Sequence, residues 1–340
     1  MTAFFRCDAT CGLGFGHMSR CLALAEAFRQ TGIASSFVGL FDQDARDQIE
    51  LLGFSCVDVA HPVNSDDSEH RFLSDIMAPH SGGFVVIDSY RADEAYLSAL
   101  KSVGPPIIVV DDFNTLKYFP CDVLLNFTWE ARSLAYPKGP VHLLGPDYFP
   151  ARRRLVELRP QSLQRRRSGR VGNLLIAIGG TDPKGIAPRM ASMLRHRHAG
   201  VCVRVISAGS SDLADALADF APGSATLSKL PDLSEQLLWA DACITGGGLI
   251  KYEAAFMGVP AAAISQNEGQ AQETRSLARA GLVFDLGLAD ERSDEELEQA
   301  LETFFADHGL RDNQIARIRG LFPSDPSANA ARAIVGVVGE

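Results

Sequence analysis

The feature that most constrains this chain is an alternation of short β-rich runs with longer stretches of helical periodicity, sustained from end to end. In the first half, strand candidates fall at Phe4–Cys7, Ser35–Val38, Cys56–Val59, Phe84–Asp88, Ile107–Asp111, Val123–Asn126 and His142–Leu144. Helix-like stretches such as Met18–Thr31 and Ala92–Val103 lie between them. The pattern restarts at Asn173–Ile178 and runs on through Val201–Ile206, Ala242–Thr245, Ala261–Ile264 and Leu282–Asp285. Strands separated by helices pair in parallel, through right-handed crossovers. The pattern predicts an α/β chain of two Rossmann-like, doubly wound domains facing across a cleft, with ligands at the carboxyl ends of the strands. Residues 1–155 make the first domain and 172–340 the second, with the final helix free to pack back on the first. Between them, 156–171 reads as an exposed linker, rich in Arg, Gln and Ser and interrupted by Pro160.

The 340 residues suit two such domains, and 46% hydrophobic residues supply their cores. With 42 acidic against 32 basic residues, the formal charge of −10 argues against a nucleic-acid partner, which needs a basic face to neutralise phosphate. The one basic cluster, Arg165–Arg167 with Arg170, has no interleaved aromatics and reads as solvated linker. No apolar run approaches the roughly 20 residues of a membrane span, and the N-terminus has no signal-peptide pattern. A soluble, cytoplasmic protein is expected. The seven scattered cysteines show no metal-ligand spacing and read as reduced core thiols.

Three glycine-rich loops follow strand candidates. In Gly12-Leu-Gly14-Phe-Gly16-His17 the glycines permit a tight turn close to a ligand, and His17 opens the next helix. An imidazole there can accept a proton near neutral pH; the alternative is a histidine that caps the helix. In Gly179-Gly180-Thr181-Asp182-Pro183, Asp182 suits an N-cap and Pro183 the first helical position, which leaves the paired glycines to a close approach. The third, Gly246-Gly247-Gly248, offers free backbone amides to a diphosphate. Glu253, one turn on, suits a neutral diol such as ribose or, alternatively, a helix dipole. Further polar groups end strands at Asp88-Ser-Tyr90, Asp111-Asp112 and Ser265–Glu268, where sugar hydroxyls can be read. Neighbouring Asp111 and Asp112 point to opposite faces, so they are not a metal pair, and nothing here requires a metal.

Taken together, Gly14–Ala25, Val86–Tyr90, Val110–Asp112, Leu143–Tyr148, Gly179–Pro183, Gly246–Glu253 and Ile264–Gln270 resemble, in order, the UDP-2,4-diacetamido-2,4,6-trideoxy-β-L-altropyranose hydrolases of pseudaminic acid biosynthesis and the related spore-coat polysaccharide proteins. The resemblance covers nearly the whole chain. It implies the GT-B fold and release of UDP from a UDP-linked diacetamido-trideoxy sugar by inverting water attack, without metal or cofactor. It implies His17 as the group that orients or deprotonates water, and Tyr90 and Asn267 beside the sugar. It also implies substrate contacts at Gly14, Gly16, Arg20, Asp88, Gly180, Thr181, Gly246, Gly247, Gly248, Glu253 and Gln270. Three departures stand out: Ser89 where the family has His, Leu249 and Ile250 where it has small hydroxyl residues, and Phe149-Pro-Ala-Arg152 after Tyr148. They bear on which sugar is used and on water as acceptor. The alternative is a GT-B glycosyltransferase serving surface or flagellar glycosylation. The oligomeric state is open.

Overall fold

The structure is a computed structural model that describes residues 1–340 except 60, 64–66, 81, 168, 181, 208–210, 229 and 340, and the side chains of 67, 68, 211, 212 and 214. The chain divides into two units, Met1–Arg153 with Pro323–Glu340, and Arg154–Phe322.

Among the described residues the first unit holds seven strands: β1 (Thr2–Cys7), β2 (Ala34–Gly39), β3 (Ser55–Asp58), β4 (Phe84–Asp88), β5 (Ile107–Val110), β6 (Val123–Asn126) and β7 (Val141–Leu144), in the parallel order β3-β2-β1-β4-β5-β6-β7. The second holds six: β8 (Asn173–Ala177), β9 (Cys202–Ile206), β10 (Ala225–Leu227), β11 (Ala242–Gly246), β12 (Ala261–Ser265) and β13 (Phe284–Leu288), ordered β10-β9-β8-β11-β12-β13. Both orders are doubly wound, with the reversal beside the first strand of each unit. Every residue of β4, β5, β6, β11 and β12 is buried, as expected of parallel strands covered on both faces.

Three sequence expectations need correction, and one strand has no counterpart among those expected. Segment 156–171 is no exposed linker: Arg153–Gln164 is a helix whose Leu155, Leu158, Arg159 and Ser162 are buried at helical spacing, while Pro160 sits on its exposed side. The basic cluster after it is not solvated throughout. Arg167 is 6% exposed and donates to the carbonyls of Ser162 and Ala240, at 2.5 and 2.9 Å. Arg165 donates to Trp239 O at 2.6 Å and pairs with Asp241 at 2.7 Å, so the run closes the end of the helix Ser234–Trp239. Burial, helped by neighbouring Arg165, pulls Arg167 down to about 10. The last strand begins at Phe284, because Leu282 belongs to the turn that ends the helix Glu268–Arg279, its N–H bonded to Leu277 O at 2.9 Å. Strand β10, three residues long and half-exposed at a sheet edge, lacks the apolar run that would reveal it in the sequence.

The final helix, Pro326–Val338, packs on the helix Gly16–Gln30, and its Ser327 hydroxyl donates to Ala151 O at 2.7 Å. Among the described residues no helix is long and apolar enough to cross a membrane.

Candidate active site

The order of the first sheet decides which loops meet. β1 lies between β2 and β4, and Cys7 is in register with Asp88. The glycine loop that leaves β1 therefore closes over the end of β4. Gly14 turns the loop, with φ of 83°, a conformation that costs a residue with Cβ about 1 kcal/mol or more. At Gly16 an added Cβ would meet nothing within 4 Å, so local packing does not demand a glycine there.

His17 is the second residue of the helix Gly16–Gln30, whose N-cap, Phe15, makes no side-chain bond. It is not a capping histidine. Its Nδ1 lies 2.6 Å from Asp88 Oδ1, and one-fifth of its side chain is exposed. Asp88 is fully buried; burial alone would raise its pKa, but the Arg20 guanidinium and the His17 ring outweigh that and hold it down to about 2. An ionised Asp88 makes Nδ1 the donor. In the neutral ring that leaves Nε2 as the proton acceptor.

Arg20, one helical turn beyond His17, is the hub. Nε and Nη2 donate to the two Asp88 oxygens at 2.5 and 2.7 Å, and Nη1 donates to both Asp112 oxygens at 2.9 and 2.8 Å. Its Nη2 also comes within 3.1 Å of His17 Nδ1, a contact of two donors that share Asp88. Burial would lower the pKa of Arg20; Asp112 and Asp88 carry it well above the usual arginine range.

Arg20 and Asp88, read from the sequence as substrate contacts, are engaged here by each other, by Asp112 and by His17. Arg20 is 5% exposed with both carboxylates on it, and Asp88 is sealed beneath the ring it orients. The Tyr90 hydroxyl donates to Asp112, while its ring is 61% exposed and meets His17 edge-on at 4.6 Å between centroids. Asp111 turns the other way, accepting from the Tyr136 hydroxyl and from Asn114 N at 2.7 Å.

The second set of expected residues lies in the second unit. β11 runs between β8 and β12, so the turn that leaves it is crowded from both sides. A Cβ at Gly246 would lie 1.9 Å from Ile178 O; at Gly247 it would lie 2.8 Å from Ser265 Oγ and 2.9 Å from Gln270 Cβ. Gly248 is open, with Gln270 Nε2 the nearest atom at 3.9 Å. Two of the three glycines thus have packing reasons, and only the third faces free space.

Glu253 is 6% exposed in the short helix Ile250–Phe256. Gln270 Oε1 accepts from Gln266 N at 2.9 Å, and the Asn267 side chain caps the next helix by accepting from Gln270 N at 3.0 Å. Gly180 is exposed just beyond β8, and Thr181 lies outside the described residues. The helix expected at Pro183 begins at Ile186; Asp182 still serves it, accepting from Ile186 N and Ala187 N at 2.9 and 2.7 Å.

Lys251 and Glu273 shape the second of these sites without having been singled out, and Asp112, read from the sequence only as a polar strand end, bridges Arg20 and Tyr90. Lys251 is 2% exposed, donates to Gly247 O and pairs with Glu273 at 2.7 Å. A lysine just past a glycine turn is a visible signal. Glu273, 22 residues on, is not. Among the described residues no group of three or more His, Cys, Asp or Glu is set to hold a metal ion.

No protein-family model matches the chain. It is 24% identical to the spore coat polysaccharide biosynthesis protein SpsG of Bacillus subtilis, over 88% of this chain and 87% of that one. It is 26% identical to the UDP-2,4-diacetamido-2,4,6-trideoxy-β-L-altropyranose hydrolase of Campylobacter jejuni, over 57% of this chain and 66% of that one. An uncharacterised Methanocaldococcus jannaschii protein is 22% identical over 77% of this chain, a match that spans only 55% of that longer protein. Among solved structures, Acinetobacter baumannii MurG superposes with a TM-score of 0.67 at 15% identity, covering 100% of this chain and 99% of that one. The spinosyn forosaminyltransferase SpnP gives 0.69 at 13%, covering 100% and 99%. By its fold the chain is a GT-B protein of two parallel-sheet α/β domains, and by sequence it is a distant homologue of SpsG and of the Campylobacter hydrolase.

Proposed function

We propose that the chain is a nucleotide-sugar enzyme that releases UDP from a UDP-linked diacetamido-trideoxy sugar by water attack at the anomeric carbon. The observation that carries this reading is the His17–Asp88 pair. An ionised, buried carboxylate fixes the tautomer of a partly exposed imidazole and leaves Nε2 to act as base. In the proposed step Nε2 takes a proton from water, and the water oxygen bonds to the anomeric carbon from the face opposite the diphosphate. The carbon–oxygen bond to the diphosphate breaks, and its electron pair leaves with UDP. Arg20 keeps Asp88 charged and in place. Tyr90, its hydroxyl engaged by Asp112, offers its ring face rather than an acid to the sugar.

Binding of UDP is assigned to the second unit, with the open Gly248 facing the diphosphate, Glu253 the ribose, and Asn267 and Gln270 the sugar side. The name of the Campylobacter relative supports a nucleotide-sugar substrate of this kind, and that of the Bacillus relative supports a part in polysaccharide biosynthesis.

Transfer to a protein or polysaccharide is the second reading, favoured by two observations. The similar solved structures named above include a glycosyltransferase, and four exposed aromatic rings, Tyr90, Phe113, Tyr118 and Trp129, lie in the loops that leave β4, β5 and β6. The deciding experiment incubates the pure protein with a panel of UDP-amino sugars and no acceptor. UDP release from a diacetamido-trideoxy sugar is the expected result. No release until a glycan or protein is added would replace hydrolysis with transfer.

A further inference from the structure

We infer that Lys251 is a positioning residue that aims the Gly248 N–H at an anionic group, here the diphosphate of the nucleotide; the identity of that anion rests on the function proposed above. The chain has no cis peptide bond among its described residues, and in a trans peptide the carbonyl and the following N–H point in opposite directions. The Lys251 ammonium, its side chain 1% exposed, holds the Gly247 carbonyl inward. The N–H of the same peptide, that of Gly248, is thereby turned outward. Gly248 is also the one glycine of the turn with space around it.

The lysine is itself held from below. Glu273 accepts from Lys251 at 2.7 Å with one oxygen and from the Tyr252 hydroxyl at 2.6 Å with the other. A buried ion pair is a costly way to hold a turn that apolar packing could support, so its use here calls for a directional role. A second observation points the same way. Thr245, the residue that leads into the turn, is fully buried, and its hydroxyl has no hydrogen-bond partner among the described residues. Such a group ordinarily finds one, and here none of the described residues supplies it. Glycines that let an anion approach do not by themselves choose which end of a peptide faces it. Lys251 makes that choice.

The test titrates UDP, uridine and inorganic pyrophosphate onto the full-length protein and onto two variants, Lys251→Met and the doubly neutral Lys251→Met/Glu273→Gln. In the double variant the glutamine carbonyl still accepts from Tyr252, so no buried charge is stranded, and thermal melting checks the fold. For the double variant, UDP affinity should fall about tenfold, as for loss of one well-aimed hydrogen bond to a charged group, while uridine affinity stays within about twofold. Pyrophosphate should follow UDP. A folded double variant that binds UDP as tightly as the wild type overturns the inference and leaves the nucleotide reading intact. Equal losses for UDP and uridine overturn it too, since they would mark Lys251 as a support for the whole unit. If the wild type binds pyrophosphate but not UDP, and the variant loses it, the inference stands and the nucleotide reading falls. If the wild type binds none of the three, both fall.

Discussion

The glycine loop after β1 and the glycine turn after β11 each leave a strand that borders the reversal of order in its own doubly wound sheet, yet they are built differently. In the first, the function proposed above rests on a side chain. His17 is set by Asp88, Asp88 by Arg20, and Arg20 by Asp112, so one partly exposed ring rests on three buried or nearly buried charges. In the second, the proposed contact to the nucleotide is made by the backbone. Side chains are absent at Gly246 and Gly247 because β8 and β12 leave no room for them, and the nearby ion pair of Lys251 and Glu273 acts on a carbonyl. A base must have its proton-accepting nitrogen oriented, which takes directional charge. A diphosphate, the group proposed for the second site, presents many equivalent oxygens, and the one open amide at Gly248 would meet them with less individual tuning.

The sharpest way to break this contrast is to remove the ring. His17→Ala should lower turnover by roughly 10²–10⁴-fold with little change in UDP affinity, read by UDP release and by titration. Asp88→Asn should approach that loss, because an amide oriented by Arg20 no longer requires a donor at Nδ1. A folded His17→Ala enzyme working near the wild-type rate would move the base elsewhere.

A smaller effect should appear in acid. The folded pKa of Asp88, about 2, lies below the ordinary carboxylate value of about 3.9, so its contribution is fully present above about pH 4 and is lost as pH falls towards 2. The gap corresponds to about 2.6 kcal/mol. Unfolding followed between about pH 4 and pH 2 should therefore be steep in the wild type and flatter in Asp88→Asn. The same slope in both would mean that other carboxylates carry the acid limb.

The smallest effect is expected at Tyr90. Its hydroxyl is already donated to Asp112, so Tyr90→Phe should change kcat by less than about threefold, well short of the 10²-fold or more that loss of an acid or base costs. Tyr90→Ala, which removes the exposed ring, should act mainly through KM. A large kcat loss in Tyr90→Phe would restore the phenol as a chemical group.

How legible each part was in the sequence follows from the range of the forces involved. The runs Val85–Ile87 and Ile107–Val110 could be read as buried parallel strands because apolar continuity is local. His17 could be singled out because its glycine frame is local as well. Arg165 and Arg167 were misread, since their acceptors at Leu237–Asp241 lie about 70 residues away and composition carries no trace of them. Arg20 and Asp88 were seen individually but their pairing was not, because a charged residue looks the same in sequence whether it faces a ligand or another side chain.

By itself, then, the order of residues determined the two doubly wound units, the loops at the ends of their strands and the histidine that opens the first helix, all set by periodicity and by glycine within a few residues. Tertiary structure alone decided that Arg20 and Asp88 serve His17, that Gly246 and Gly247 are glycines for want of space, and that Lys251 meets a carbonyl. Strand order set those outcomes by bringing β4 against β1 and β8 and β12 against β11. Such neighbours are assigned by long-range pairing, which a single sequence does not display.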